Sequence, residues 1–597
     1  MREASIGRMA HDTDSCALFL IFFSTKGNTV ETISSHSKMK RALLIVFSLF
    51  ACIGAFAQSL RQDGMIFSTY LDHISNGESY YHAQITGNYL AEPTDLVIPD
   101  VVTIDGITYQ VSKIEKEAFF NCRFLNSVIL PEHIKFINYQ AFSSTPIKQL
   151  VFKSENSPLY IDNRSFTSCE NLEEVILPDG VISLGGYAFA GCVKLRTVRL
   201  GSRINDLKKA VFMNCFSLEE INMTTSINNI RELAFYGCES LEHITIPSSV
   251  KTIENRAFEE CRKLNTLKFE EGVVTIGSYA FNGCWDLLSV ALPNSLLGMG
   301  THVFDGCRSL QNVSFGTGLK SVGEYSFYGC ESLENVEMPD NIESIGSSMF
   351  YMCINLKSIK LPSGIQKLPA SFFWDCKNLD RVDISTFNSI GENAFSGCTT
   401  LIDVELSEQL VEIGANAFRN CNALVEVNLP GSVNSIGGWA FDGCQNIASL
   451  IINGDIETIG FQSFNNCTSL KNIEIHGTIK KIEDSVWSGC NAIETVKYMS
   501  DTPVAGPENS FTTEVYNNAT LIMPSAGHAV ASTIKPWSLF VKKEFSDQAL
   551  IDDAIVNRAE HIEIFNINGI NVGSSLEQLS PGLYIVKEGN NATKVIR

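Results

Sequence analysis

Between residues 111 and 493 the apolar positions fall into a frame that repeats every 23 residues. It reads Ala/Ser-Phe-x-x-Cys-x-x-Leu-x-x-Val/Ile-x-Leu-Pro-x-x-Val/Ile-x-x-Ile. A clean copy runs Ala234-Phe235, Cys238, Leu241, Ile244, Ile246-Pro247, Val250 and Ile253. The aromatic position begins at Phe119, passes through Phe142 and Phe166, and ends at Phe464 and Trp487, which makes seventeen copies. Leu-x-x-Val-x-Leu alternates with the period of a short strand whose apolar side faces inward. Proline follows the strand at Pro131, Pro178, Pro247 and Pro430; lacking an N–H, it ends the ladder there. The second apolar pair, such as Val250 and Ile253, lies on another side of the coil. Ala-Phe-x-x-Cys is predicted in a short helical turn or corner, often with glycine before the cysteine, as at Gly237, Gly283 and Gly306.

A fixed period of roughly 20–29 residues with this leucine spacing marks a leucine-rich-repeat solenoid. Each coil turns about eight apolar side chains inward, worth roughly 2 kcal/mol apiece when buried. Ordering each residue costs roughly 1–2 kcal/mol of backbone entropy. An isolated coil loses that comparison, so neighbours must cover its faces and complete its ladder. The expected fold is therefore a solenoid of about seventeen coils with one parallel β-sheet face and capped ends. Two copies are irregular. One has Thr145-Pro146 where cysteine is expected, and the copy after Cys376 lacks the proline and one residue at Ile384-Ser385-Thr386-Phe387. The second reads as a one-residue loop deletion.

Sixteen of the 18 cysteines follow the frame, from Cys122 to Cys490. Equivalent positions in stacked coils have parallel Cα–Cβ bonds, whereas a disulfide needs sulfurs about 2.05 Å apart. No C-x-x-C occurs, and tetrahedral zinc wants clustered ligands. The cysteines, among them Cys192, Cys215, Cys238, Cys261, Cys284, Cys307, Cys330 and Cys353, read as a ladder of buried small hydrophobes.

The ends differ from the array. Met39-Lys40-Arg41, the apolar run Ala42 to Phe56 and the exit Ala55-Phe56-Ala57 form a signal-peptide pattern over 39–57, with cleavage expected before Gln58. Residues 1–38 then read as a mis-assigned upstream extension, with Met39 as the start. Leu49-Phe50-Ala51-Cys52 resembles a lipobox, although Phe50 is bulky for it. Residues 58–110 are expected to cap the first coil, with half a repeat at Leu96-Val97-Ile98-Pro99 and a turn at Asp105-Gly106. A second cap is expected over 494–546, around Phe511, Leu521 and Trp537. Residues 547–597 read as a small β domain, from the alternation at Ile562-Glu563-Ile564-Phe565, a hairpin signal at Asn568-Gly569, and strands at Leu583–Val586 and Lys594–Ile596.

Composition narrows function. A net charge of −21 and pI near 5.0 disfavour nucleic acid and anionic membranes, whose affinity rests on Lys and Arg. No stretch of the mature chain has the roughly 20 apolar residues of a membrane span. The ten histidines form no H-E-x-x-H, no G-x-S-x-G occurs, and Gly316-Thr317-Gly318 lacks the third glycine of a phosphate loop. No catalytic residue, metal site or cofactor is expected. The candidate binding face is the outward side of the strands: Arg199, Thr245, Lys268, Ser314, Glu337, Lys360, Asp383 and Glu405 in one stripe, with Arg381 and Glu426 beside them. Such extended faces suit multi-point protein contacts.

The frame, with its Ala-Phe-x-x-Cys-x-x-Leu core over about residues 95–546, resembles the BspA-like leucine-rich repeats of bacterial surface antigens. The resemblance implies a secreted or surface-exposed protein, some of whose relatives bind matrix or plasma glycoproteins such as fibronectin and fibrinogen. The tail, with Asn568-Gly569, Pro581-Gly582-Leu583-Tyr584-Ile585-Val586 and Lys594/Arg597, is similar to sorting domains of the type IX secretion system. That implies a Bacteroidetes source and passage across the outer membrane. The expected partners of a monomeric chain are extracellular or surface proteins. A structural spacer of the envelope or matrix is the first alternative and a glycan-capturing accessory the second.

Overall fold

The computed structural model describes residues 59–73 and 79–545, with the strands Ile562–Asn566, Asn571–Gly573, Leu583–Glu588 and Asn591–Ile596. The signal-peptide pattern, the lipobox-like Cys52 and the Asn568-Gly569 and Pro581-Gly582 turns lie outside the described residues.

The array is a parallel β-solenoid of about 19 turns with a period of about 23 residues. The main strands alternate as the frame requires. In His243–Ile246, for example, Ile244 and Ile246 are buried while His243 and Thr245 are exposed. The strand pairs residue for residue with Thr266–Phe269 of the next coil. A second ladder of two-residue strands, such as Thr252–Ile253 on Thr275–Ile276, buries Ile253, the second member of the other apolar pair.

The ladder runs past the seventeen coils at both ends. Thr94–Val97 forms a first rung on Leu125–Leu130. Thr520–Met523 and Lys542–Phe545 add rungs beyond Thr495–Tyr498, the strand of the last coil. Upstream, Leu60–Gln62, Met65–His73 and Ser79–Asn88 form an antiparallel meander that joins the second ladder through Ile107–Ile114. The sequence reading assigned no strands there. Asp105 and Gly106 both have positive φ, 51° and 80°, and fold Val101–Ile104 back on Ile107–Ile114. In the tail, Ile562–Asn566 lies between Asn571–Gly573 and Leu583–Glu588, which pairs with Asn591–Ile596, all antiparallel.

The Ala-Phe-x-x-Cys segment is a corner of overlapping turns, not a helix. In all seventeen coils the residue two before the aromatic has a left-handed φ between 53° and 61°, and none of these residues is glycine. Leu233, Tyr279 and Trp439 are among them, in a region that bulky residues seldom adopt. Intercoil hydrogen bonds hold them there. The N–H groups of Leu233, Phe235 and Gly237 donate to the carbonyls of Asn255, Ala257 and Glu259 in the next coil, at 3.2, 2.8 and 2.8 Å. The intervening N–H groups of Ala234, Tyr236 and Cys238 close turns within their own coil, each at 3.1 Å. A second left-handed position falls two after the aromatic, and there glycine relieves the strain in Gly191, Gly237, Gly283 and five further coils.

The aromatics inside the corner stack without a gap from Phe119 to Trp487 and on to Phe511, with centroids 4.5–6.4 Å apart. Phe511 therefore gives the C-terminal cap an eighteenth corner, where the Ser510 carbonyl accepts from Trp487 N–H at 2.9 Å.

Proline controls where the main ladder breaks. A non-proline residue after the strand donates to the preceding coil, as Glu270 does to Ile246 (2.9 Å) and His476 to Ile452 (2.9 Å). Proline removes that donor. Five times in the array a coil without proline is followed by one with it. At four of these, Phe152/Pro178, Met223/Pro247, Phe315/Pro339 and Leu406/Pro430, the two strands belong to separate sheets. At the fifth, Phe269/Pro293, pairing shrinks to Thr266 on Ser289. Successive proline coils still pair, since Met338 N–H reaches the Lys360 carbonyl at 3.0 Å. In the cap, Thr495–Tyr498 and Thr520–Met523 stay paired at three positions although Pro524 follows.

Candidate functional site

The ten stripe residues from Arg199 to Glu426 are all exposed on the outer face of the main ladder. Register sets Thr245 beside Lys268, Glu337 beside Lys360, and Asp383 beside Glu405. They do not form one site, because three interruptions of the ladder separate Arg199 from Glu426. Nor are they equally free. Ser385 donates its N–H and hydroxyl to Asp383 Oδ1, at 2.9 and 2.7 Å, and these bonds hold the carboxyl below its ordinary range. Lys360 Nζ lies 3.7 Å from Asp340 Oδ2.

Half-buried apolar side chains gather where the ladder breaks: Met223, then Val313 and Phe315, then Val404 and Leu406. At the last break, between Asp403–Leu406 and Glu426–Leu429, they line a cleft of about 950 Å³. Its lining includes Leu406, Leu424, Val427 and Phe418, with the acidic residues Glu408 and Glu426. Asn453 Nδ2 donates to Asn428 Oδ1 at 2.8 Å across two of the lining residues. Ile402 and Val425 beside it are 54% and 55% exposed. Sequence reasoning missed this feature. Two successive coils without proline, Ile384-Ser385 and Leu406-Ser407, followed by Leu429-Pro430, were its signal.

The sixteen array cysteines are free and buried. The structure gives them a role beyond bulk. Every thiol from Cys169 to Cys490 donates to the carbonyl of the corner phenylalanine one coil earlier, at 2.9–3.4 Å. Burial pushes the thiols of Cys215 and Cys444 up to about 12, away from reactive thiolate. In the copy without cysteine, Thr145 Oγ1 donates instead to Phe142 of its own coil, at 2.7 Å.

A further row of aromatics lies at the corner, where Tyr279, His302 and Tyr325 stack face to face at 4.5 and 4.6 Å. Among the described residues no group of three or more His, Cys, Asp or Glu could hold a metal ion, and no helix is long and apolar enough to cross a membrane.

The model of the BspA type leucine-rich repeat region matches in overlapping stretches from residue 103 to residue 514, including 103–217, 205–321 and 388–514. The chain belongs to the BspA-type leucine-rich repeat family. No curated protein matches it. Among solved structures this BspA-type chain is similar to a leucine-rich repeat protein from Bacteroides ovatus, with 24% identity, 74% of this chain and 94% of that one covered, and a TM-score of 0.49. It is also similar to a leucine rich cell surface protein from Faecalibacterium prausnitzii, with 22% identity, coverage of 70% and 95%, and a TM-score of 0.33. A third is a leucine-rich repeat protein from Eubacterium ventriosum, with 17% identity, coverage of 64% and 93%, and a TM-score of 0.32.

Proposed function

We propose that this BspA-type chain is an exported, non-enzymatic binding protein that engages other proteins along the outer face of its main ladder. The observation that carries the reading is the exposure of polar side chains at the same register in coil after coil, from Arg199 to Glu426, over a core filled by apolar residues. Partners of this face are extracellular or surface proteins, with matrix and plasma glycoproteins the first class to test. The signal-peptide pattern over 39–57 directs export, and the β tail over 547–597 acts as a type IX sorting domain that brings the chain to the outer surface. There the 58–110 and 494–546 caps bracket a 111–493 array.

The test is binding of the full chain to immobilised fibronectin, fibrinogen and related glycoproteins by interferometry. Saturable binding is expected, weakened about tenfold or more by combined Lys360→Glu, Asp383→Lys and Glu405→Lys. A chain that binds none of them refutes these glycoproteins as partners, and binding that ignores the reversals refutes the outer face as the site. The first outcome favours a structural spacer, a role for which the unbroken aromatic stack supplies a rigid axis.

A further inference from the structure

The cleft after Leu406 differs from the rest of the face in three ways. First, it presents unused strand edges. Asp403–Leu406 pairs with Arg381–Ile384 and Glu426–Leu429 with Ser449–Ile452, but the two do not pair with each other. Backbone N–H and C=O groups on their facing edges are thus open to another strand. Proline at 430 keeps the opening from closing, because the Leu406 carbonyl lacks the donor that Asn453 supplies to Leu429 at 3.2 Å.

Second, the lining includes the apolar side chains Leu406, Leu424 and Val427. About 950 Å³ accommodates several residues of extended chain. Third, the described lining holds Glu408 and Glu426 but no lysine or arginine, on a chain whose net charge is −21. Strand edges at regular spacing match a polypeptide backbone, apolar floor positions match alternate side chains, and the carboxylates select basic residues between them.

We infer that this cleft takes an extended segment of a partner protein in which apolar and basic residues alternate. The segment adds as a strand to the open edge, seats its apolar side chains on Leu406, Leu424 and Val427, and turns its lysines or arginines toward Glu408 and Glu426. The inference rests on the protein-binding reading above and names the chemistry of one partner segment.

The probe is a fluorescein-labelled octapeptide of alternating valine and lysine, titrated into the full chain by fluorescence anisotropy. One saturable site is expected. A second octapeptide, of alternating proline and lysine, carries the same charge without the N–H groups of the valines and is expected to bind at least about tenfold more weakly. Gly431→Leu fills the cleft. The nearest atom to a Cβ at that position is the Asn453 carbonyl oxygen at 3.9 Å, so the side chain enters open space. This variant is expected to keep the wild-type melting temperature and lose about tenfold or more in affinity, as is Glu408→Lys. The inference is overturned if Gly431→Leu or Glu408→Lys binds the valine peptide as tightly as wild type, or if the proline peptide binds equally well. If the valine peptide fails while fibronectin or fibrinogen still binds with Gly431→Leu in place, the cleft is refuted and the binding face stands. Peptide binding that depends on Gly431, without capture of any glycoprotein, supports the cleft and refutes those glycoproteins as partners.

Discussion

The thiol of Cys238 lies 3.3 Å from the carbonyl oxygen of Phe212, one coil earlier, and donates to it. The same oxygen accepts the N–H of Cys215 at 3.2 Å, so both its lone pairs are used. Cys238→Ala removes the donor and leaves a small void, and is expected to destabilise the chain by roughly 1–3 kcal/mol in urea unfolding. Cys238→Val keeps the bulk without the donor and separates the two contributions. An alanine variant as stable as wild type would show that the thiol bond contributes nothing.

The buried thiols predict a sharp alkaline limit. A cysteine in the unfolded chain ionises near pH 9, whereas burial raises Cys215 and Cys444 to about 12 in the fold. Between those values the unfolded chain has shed protons that the folded chain retains. Stability is therefore full below about pH 9 and lost as pH rises toward 12, by at most about 1.4 kcal/mol per pH unit for each thiol. Melting temperatures measured between about pH 7 and pH 11 should be level and then fall, and fall less steeply in Cys215→Ala/Cys444→Ala. Denatured under non-reducing conditions, the array should titrate with about sixteen thiols.

Phe281 sits at the middle of the ring stack, 5.1 Å from Phe258 and 5.5 Å from Phe304. Phe281→Ala should cost about 3–5 kcal/mol. Each coil is supported by its neighbours, so the gap should uncouple the two halves and turn one unfolding transition into two. Phe119→Ala, at the first ring of the stack, should leave a single transition. Urea unfolding followed by circular dichroism distinguishes them.

The proline rule predicts opposite results from two similar substitutions. His476→Pro follows Ile452-Asn453, a coil without proline, and should open a new interruption between Ser449–Ile452 and Asn472–Ile475. Asn453→Pro follows Leu429-Pro430 and should leave its strands paired. Amide hydrogen exchange across these strands reads the difference. Equal protection in both variants would sink the rule.

The sequence made the solenoid legible because Phe, Cys, Leu and Val recur at fixed spacing, and the core demands the same shape in every coil. The exposed stripe followed from strand alternation alone. What escaped notice depends on relations between coils. Leu233 and Trp439 carry no local preference for positive φ, and only hydrogen bonds to the next coil hold them there. The cleft arises from the succession of Leu406-Ser407 and Leu429-Pro430, neither of which signals it singly. The N-terminal meander was hidden because Met65-Ile66-Phe67 and Tyr80-Tyr81 run bulky side chains consecutively, which obscures the alternation of a strand.

The repeated corner makes the chain's length adjustable in whole steps. Cys238-Glu239-Ser240-Leu241-Glu242 and Cys330-Glu331-Ser332-Leu333-Glu334 are the same five residues, 92 positions apart, which is four periods of 23. Excising 239–330 joins two halves that already match across the seam, ring on ring and thiol on carbonyl. Unequal exchange between such segments of the gene can lengthen or shorten the scaffold without a new core having to evolve.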